Sequence, residues 1–413
     1  MSLDDGDSED EVDHLIQGLV TFPPVPHEKP HLYMAASSPG TLNSPVDHPR
    51  PLPPGLQLAL PRDVEELLLS AYRDRAQAQY PFFHWPTFLV WASEWKSCSP
   101  ADLETQSWQG FFVNLVYASA VLLPASPRID RAEARVFYRS GIALLPHVMR
   151  QPDPILHLQA YLLLSFHALH RSSTQRILSL ASTTMRHCVQ NQLHLADTEL
   201  VATDPGARLA IQIRRRCFWS AYNLERLVMT SLHVPPSIPD NVITTKLYAN
   251  IDDDDLSTLV SQVPLDSELP DSPSFTCVSS SLQIAQCRRI QSEIEGYTLR
   301  GDYETHYEGS SEWRARVLAE LESYKARVQK FSDPQAKGHT SHRWLGMFYH
   351  YTLLMLYRPT KQSVLGPAGD WSVQASSQAC LIFRKSQMDR QIAQGWLGVG
   401  ANVSQPPLPS LTG

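Results

Sequence analysis

Apolar residues recur every three or four positions along most of the chain after residue 62, which is the spacing of one face of an α-helix. The longest helix predicted in this way runs into Pro235 and Pro236, which should end it because proline lacks an N–H group and clashes with the preceding turn. Its apolar face is formed by Ile213, Cys217, Ala221, Leu224 and Val228. No alternation of apolar and polar residues is long enough to predict a strand, so the pattern indicates an all-α fold.

Further helices are predicted on both sides of this one. A first helix begins at Asp63, whose side chain can cap it. The segment 156–167 is apolar nearly all round, so we expect a buried helix there. The polar segments 195–206 and 236–275 are predicted to be loops. The other helical patterns lie at 107–123, 130–149, 153–169, 174–193, 284–297, 313–331 and 344–357.

The chain is predicted to divide into a disordered segment at 1–62, a helical domain at 63–400 and a disordered tail at 401–413. Residues 1–62 carry nine acidic and three basic side chains, and eleven prolines lie between Pro23 and Pro61. Such a segment cannot bury enough apolar surface to offset the entropy of ordering it. Within it, residues 11–22 mix acids with spaced apolar residues, which fits either a solvated acidic tail or an activation segment that folds on a partner.

Charge and cysteine spacing restrict the function. The net charge is −7, and the part after residue 62 has 33 acids and 32 bases, so it lacks the basic footprint of a nucleic-acid-binding surface. The six cysteines are never closer than ten residues, so no zinc site can be read from their spacing. The longest apolar run is too short to span a membrane. We therefore expect no membrane segment, no metal and no cofactor.

Three motifs resemble the middle homology region of fungal zinc-cluster transcription factors, in particular the regulators related to xylanase activators. They lie at 80–88, 214–240 and 344–359, and the resemblance covers about residues 63–400. This region is an all-helical regulatory domain in the family. We expect the matching residues to be structural rather than catalytic, metal-binding or DNA-binding. They are Pro81, His84, Pro86, Phe88, Arg214, Arg215, Arg216, Phe218, Trp219, Glu225, Pro236, Ile238, Arg358 and Pro359.

The resemblance implies a nuclear transcription regulator of a metabolic or secondary-metabolite gene cluster, and no enzyme. The family binds DNA through six closely spaced cysteines that hold two zinc ions, and this sequence contains no such cluster. We therefore expect DNA to be reached only indirectly, through a full-length regulator or the transcription machinery, with a small molecule as a further effector. The chain is expected to be truncated relative to the family, or to be an incomplete gene product.

A second hypothesis belongs to another class of protein. A helical domain freed from DNA binding can become a small-molecule binder or a non-metal biosynthetic enzyme, since a concave apolar site with a few polar groups is enough for either. The aromatic-rich segments around Phe82 and Phe218 would supply the apolar walls. No convergent acid–base set is visible in the sequence, and co-purification with a regulator would favour the first hypothesis.

Several side-chain arrangements follow from helical spacing. Arg214 to Arg216 should point in three directions about 100° apart, with Arg215 over Trp219 and one of the three paired with Glu225. His167 and His170 are expected to be ordinary core or surface residues rather than metal ligands. Asp252 to Asp255 are expected to be a solvated charge run. The family often has Gly-Arg-Pro where this chain has His233-Val234-Pro235, so the sequence does not predict a special backbone conformation at that turn.

Overall fold

The computed structural model describes residues 60–123, 131–170, 174–300, 311–333, 335–336, 339–357 and 365–388. Within these ranges the prediction of an all-α fold is confirmed, because the regular elements are twelve α-helices, one π-helical turn and one 3₁₀ turn. The predicted disordered ends, apart from the residues next to the first helix, lie outside the described residues, as do Arg358 and Pro359. No helix in the described part of the chain is both long enough and apolar enough to cross a bilayer.

We number the helices in chain order. They are α1 (Arg62–Tyr72), α2 (Trp85–Ser97), α3 (Leu103–Val121), α4 (Arg131–Met149), α5 (Pro154–Leu169), α6 (Thr174–Gln190), α7 (Pro205–Leu232), α8 (Asp253–Gln262), α9 (Ser279–Arg300), α10 (Ser311–Phe331), α11 (His342–Leu356) and α12 (Pro367–Met388). The π-helical turn Arg73–Gln77 continues α1 directly.

The first half of the core is built on the aromatic turn between α1 and α2. The Tyr72 ring stacks on Trp85 at 6.2 Å, and Phe83 lies edge-on to Phe112 of α3 at 5.7 Å. Pro86 occupies the first turn of α2, where its missing N–H has no intrahelical partner to lose. These rings bring α1, α2 and α3 together, and α5 packs behind them as the predicted buried helix, with twelve buried residues from Leu158 to Leu169.

Helix α7 is the central element, with 28 residues. Asp204 caps its first turn by accepting a hydrogen bond from the Ala207 N–H at 2.9 Å. Four of the five residues predicted on the apolar face are buried, with Cys217 and Val228 fully inaccessible to solvent, and Ile213 is half-buried. The helix packs against α5 and α6 on one side and against α8 and α9 on the other. It therefore joins the N-terminal and C-terminal halves of the core.

The second half of the core is formed by α9, α10 and α11. One cluster joins Ile294 of α9, Val317 and Leu321 of α10 and Leu356 of α11, all of them fully buried. A second cluster lies one layer along the same helices and contains Tyr324, Leu345 and Phe348. Both clusters sit on the apolar stripes that the sequence predicts for these helices.

One of the two predicted loops contains regular structure. Residues 253–262 form α8, whereas the sequence indicated a loop throughout 236–275. Three acidic residues in the first turn, Asp253 to Asp255, stabilise this helix because carboxylates interact favourably with the partial positive charge of a helix N-terminus. Apolar side chains at Leu256 and Val260 then bury one face of it.

Candidate regulatory site around the arginine-rich helix

Arg214 and Arg215 fasten the segment before α7 onto the helix. The Arg214 guanidinium donates hydrogen bonds to the carbonyls of Gln192 and Thr198, each at 3.0 Å. Arg215 forms a bidentate ion pair with Glu199, with both N···O distances 2.7 Å. We expected Arg215 to stack over Trp219, but the fork geometry of the guanidinium matches a carboxylate better, and Glu199 is within its reach.

Arg216 takes the third direction, towards the interior. Its guanidinium pairs with the Asp253 carboxylate, and only 1% of the Arg216 side chain and 9% of the Asp253 side chain are exposed. The second oxygen of Asp253 accepts the backbone N–H of Trp85 at 2.8 Å. Asp253 therefore links three segments that are far apart in sequence. The expectation that Asp252 to Asp255 form a solvated charge run is wrong for this residue.

The aromatic turn completes this junction. His84 Nδ1 lies 2.8 Å from the hydroxyl of Thr87, and its Nε2 lies 3.2 Å from the Asp253 carbonyl oxygen. Burial lowers the pKa of His84, although the nearby Asp253 carboxylate opposes this. Pro81 and Phe88 are buried beside it. The turn therefore holds the first turn of α8 as well as closing α1 against α2.

Phe218 and Trp219 are buried on α7 with their rings edge to face at 5.4 Å. The Trp219 indole N–H donates to the Lys246 carbonyl at 2.9 Å. The neighbouring Cys217 thiol contacts the Phe82 carbonyl at 3.4 Å, and Gln159 of α5 donates to the same oxygen at 2.6 Å. These contacts pack the two aromatic segments against each other in the core.

Glu225 and Arg226 form a buried pair that holds the proline-rich turn. The Glu225 carboxylate pairs with Arg226 and accepts the Ser237 backbone N–H at 2.6 Å. Arg226 donates to the Ile238 carbonyl at 2.7 Å and reaches Asp240 at 3.2 Å. The expected pairing of Glu225 with Arg214, Arg215 or Arg216 is wrong, because at least nine residues, or about 13 Å along the helix axis, separate them.

Helix α7 ends in a left-handed residue. His233 adopts φ 52° and ψ 45°, a conformation that favours glycine, and its N–H closes the last turn on Met229 and Thr230. The His233 Nδ1 atom lies 2.9 Å from the Glu295 carboxylate of α9. The special backbone conformation that the sequence did not predict is therefore present, with histidine in it, and a contact to α9 accompanies it.

A cleft of about 870 Å³ opens on the outer side of this turn. The turn contributes Pro236, Pro239 and Asp240 to it, α9 contributes residues that include Arg289 and Gly296, and α10 contributes residues that include Arg316. Arg316 is held by Glu293 and by Glu320, the latter at 2.9 Å. A Cβ atom added at Gly296 would have no atom within 4 Å, so the glycine leaves open space in the cleft.

Comparison with known proteins identifies the family of this domain. The model of the fungal specific transcription factor domain matches residues 69–326, which include the aromatic turn, α7 and the proline-rich turn. The chain belongs to this family. Pyrimidine pathway regulatory protein 1 of Saccharomyces cerevisiae is 26% identical over 296 residues, which make up 70% of this chain and 32% of that protein. No solved structure matches the chain.

Other relatives of this fungal domain are regulators by name. An uncharacterized transcriptional regulatory protein of Schizosaccharomyces pombe is 26% identical over 191 residues, which are 45% of this chain and 24% of that protein. The transcriptional activator protein acu-15 of Neurospora crassa is 25% identical over 166 residues, which are 38% of this chain and 17% of that protein. The matched region thus covers a third or less of each of these three relatives.

Two kinds of site residue in this fungal domain escaped the sequence analysis. Asp253 stands in an acidic run and Arg226 follows Glu225 directly, and neither position shows an apolar spacing that reveals burial. His167 and His170, the pair with metal-like spacing, have other contacts: His167 stacks on Tyr138 at 4.4 Å and His170 Nδ1 lies 3.0 Å from the Phe166 carbonyl. Among the described residues no group of three potential ligands is close enough to hold a metal.

Proposed function

We propose that this chain regulates transcription of a metabolic gene set in the nucleus and that DNA contact is supplied by another polypeptide segment. Membership of the fungal specific transcription factor domain family carries this proposal. The named relatives are transcription regulators, which also supports a non-catalytic role.

The direction of the arginines supports indirect contact with DNA. A phosphate-binding arginine needs a guanidinium that can reach the nucleic acid backbone. Arg214 donates to the carbonyls of the preceding segment, Arg215 pairs with Glu199, and Arg216 pairs with the buried Asp253. The three consecutive arginines therefore have structural contacts inside this domain.

The cleft beside the proline-rich turn is the surface that we propose for the regulatory partner. Its lining combines charged groups, among them Arg289 and Glu293, with the apolar side chains of Ile290 and Leu247. We assign it to a regulator that carries its own zinc cluster, because such a partner would bring the DNA contact. A ligand there would touch the turn that Glu225 and Arg226 hold.

A tethering experiment tests the role in transcription. The 413-residue chain is fused to an unrelated DNA-binding domain and recruited to a reporter gene, with a gel-shift assay of the untagged chain on genomic fragments in parallel. We expect reporter transcription to change on recruitment and the untagged chain to leave DNA unshifted. Tight, sequence-specific binding by the untagged chain would contradict indirect contact, and an unchanged reporter would contradict a regulatory domain.

The cleft can be tested separately by filling it. Gly296→Leu places a side chain in the open space, and Gly346→Leu is the matched control because a Cβ at Gly346 of α11 also meets nothing within 4 Å. We expect only Gly296→Leu to abolish co-purification of the regulator that is recovered with the wild-type chain. Equal effects of both substitutions would place the partner elsewhere while leaving the reporter result untouched.

The gene set is proposed from one relative whose name refers to the pyrimidine pathway. Transcript profiling after deletion of the gene tests this, with the expectation that the affected transcripts encode enzymes of one metabolic or secondary-metabolite pathway. A response spread evenly over unrelated functions would contradict it.

A further inference from the structure

Four arginines are buried among the described residues, and one of them lacks the compensation that the other three have. Arg216 pairs with Asp253, and Arg226 pairs with Glu225. Arg208 donates to three backbone carbonyls, those of Val263, Pro264 and Ser267. Arg288 of α9, only 5% exposed, pairs with no carboxylate of the described residues. A buried charge without a partner is strongly unfavourable, so the Arg288 site calls for an anion.

The contacts of Arg288 are few and neutral. One terminal nitrogen donates to the Gln291 side-chain oxygen at 2.7 Å, and the guanidinium carbon lies 5.2 Å from the centre of the Phe348 ring. The Nε–H group is buried and has no acceptor. Burial lowers the pKa of Arg288, and the neighbours that oppose this are tyrosines and a cysteine, which carry no charge at neutral pH.

A second buried donor lies beside the same ring. The Trp344 ring is 6.3 Å from Phe348, edge to face, and its indole N–H has no acceptor although the residue is only 7% exposed. An indole N–H and a guanidinium Nε–H can only donate, so both lack the same thing, an oxygen acceptor. Buried polar groups in native proteins are almost always satisfied, so each of these two donors requires an acceptor.

The surroundings of Arg288 and Trp344 are also basic. His339 packs edge-on to Trp344 at 4.6 Å, and its pKa is lowered by burial and by the nearby Arg75 and His170. Tyr80 of the aromatic turn is close enough to Arg288 for that charge to act on its pKa. Groups from the first half of the core, Arg75 and Tyr80, therefore meet Arg288 and Trp344 from the second half.

We propose that the interior beside Arg288 binds the oxyanion of a small organic molecule, with the Arg288 guanidinium as its charge partner and the Trp344 indole N–H as a second donor. The Phe348 and Trp344 rings would cover the apolar body of the ligand. Because Arg288 belongs to α9 and Trp344 to α11, an occupant would tie these two helices together. This site is independent of the cleft and of any DNA contact.

The test compares thermal unfolding of the full chain with that of Arg288→Met, in chloride buffer and with added benzoate or sulfate at equal ionic strength. Benzamide, which has the shape of benzoate without its charge, is the neutral probe. Arg289→Met removes the same charge from an exposed position of the same helix and is the matched control. Arg288→Lys keeps the charge without the Nε–H group.

We expect Arg288→Met to be at least as stable as the wild type in chloride, since it removes an uncompensated charge from the core. We expect benzoate, sulfate or both to raise the Tm of the wild type and of Arg289→Met by about 2–4 °C over any rise in Arg288→Met. Arg288→Lys should show less than half of that rise, and benzamide should have no effect on any variant.

Three results would overturn the proposal. A lower Tm of Arg288→Met in chloride would show that the arginine is compensated by its contacts with Gln291 and Phe348. Equal shifts in the wild type and Arg288→Met would show a general effect of the salts on folding. The absence of any shift in the wild type with both anions would show that the site does not take an oxyanion.

Discussion

The Arg216 guanidinium and the Asp253 carboxylate form an ion pair that is closed to solvent and joins residues 37 positions apart. The same carboxylate receives the Trp85 backbone N–H, 168 positions away. Helix α7, helix α8 and the aromatic turn are therefore held by one side chain. The arginine run and the acidic run, which the sequence offers as two separate charged features, are parts of one interior structure.

Asp253→Asn should be strongly destabilising, because it leaves the Arg216 charge buried without a partner. We expect a loss of about 3–5 kcal/mol in the free energy of unfolding, measured by urea denaturation. The double variant Arg216→Met/Asp253→Asn should lose less than the sum of the single variants. Glu66→Gln breaks an exposed pair with Arg62 and is the control that should leave stability nearly unchanged. An effect of Asp253→Asn as small as that of Glu66→Gln would rule out the buried pair.

Glycines in three helices should respond to alanine in opposite directions. Gly296→Ala and Gly346→Ala should each raise the free energy of unfolding by about 0.5–1 kcal/mol, since alanine favours a helix and the new Cβ meets no atom. Gly110→Ala should lower it by about 1–3 kcal/mol, because the Cβ would lie 2.6 Å from the Trp95 ring. Chemical denaturation of the three variants checks both signs, and destabilisation by Gly296→Ala would mean that the cleft is filled.

The left-handed residue at the end of α7 gives a prediction about backbone strain. His233→Ala and His233→Gly both remove the contact with Glu295, but only alanine keeps a side chain at φ 52°. We expect the alanine variant to be less stable than the glycine variant by about 1 kcal/mol. Equal stability in urea denaturation would mean that the helix ends in another conformation.

Stability should fall as the pH falls below neutrality. The pKa of His339 is lowered to about 3 by burial and by Arg75 and His170, whereas an unfolded histidine titrates near 6.5. Because the folded-state pKa is lowered, the stability contributed by His339 is fully present above the pKa of the unfolded histidine. As the pH falls below that pKa, protons bind the unfolded chain and not the folded one, and this stability is lost. Between pH 7.5 and pH 5 the contribution of His339 amounts to about 2 kcal/mol.

His339→Gln should remove this part of the pH dependence, and urea denaturation across that pH range measures it. His342→Gln, at an exposed position at the start of α11, is the matched control and should leave the curve of the wild type. Identical curves for the wild type and His339→Gln would mean that His339 is not buried in a basic environment.

The sequence is informative wherever burial follows helical spacing. The stripe on α7 and the all-round apolar segment in α5 were predicted because each residue of a helix has a fixed direction relative to its neighbours. The partner of Arg216 was not predictable in that way, since Asp253 is brought near by the packing of α8 against α7. The prediction of a loop around Asp253 is wrong for a related reason, because α8 buries its apolar face by packing against α7, and the sequence does not show that packing.

The same distinction holds for the candidate site, because some of its residues could be predicted from the sequence and others could not. The motif residues Phe218 and Trp219 are visible as an aromatic pair on the buried stripe of a helix, and their burial follows from that position. Arg288 has no such signal, because an arginine between Cys287 and Arg289 is indistinguishable in the sequence from a surface residue. Among the described residues, only the absence of both a carboxylate and backbone carbonyl acceptors distinguishes Arg288 from the other buried arginines, and that is a property of the assembled core.

The central position of α7 has a consequence for experiments that map regions of the chain. Because this helix packs against α5 and α6 as well as α8 and α9, deleting either flank exposes one of its apolar faces, and deleting the C-terminal flank also leaves the buried Arg216 without its carboxylate. We therefore expect fragments from a deletion series to aggregate or be degraded. A lack of reporter activity from such fragments will reflect misfolding. Single substitutions at solvent-facing positions are the changes that distinguish effects on regulation from effects on folding in this domain.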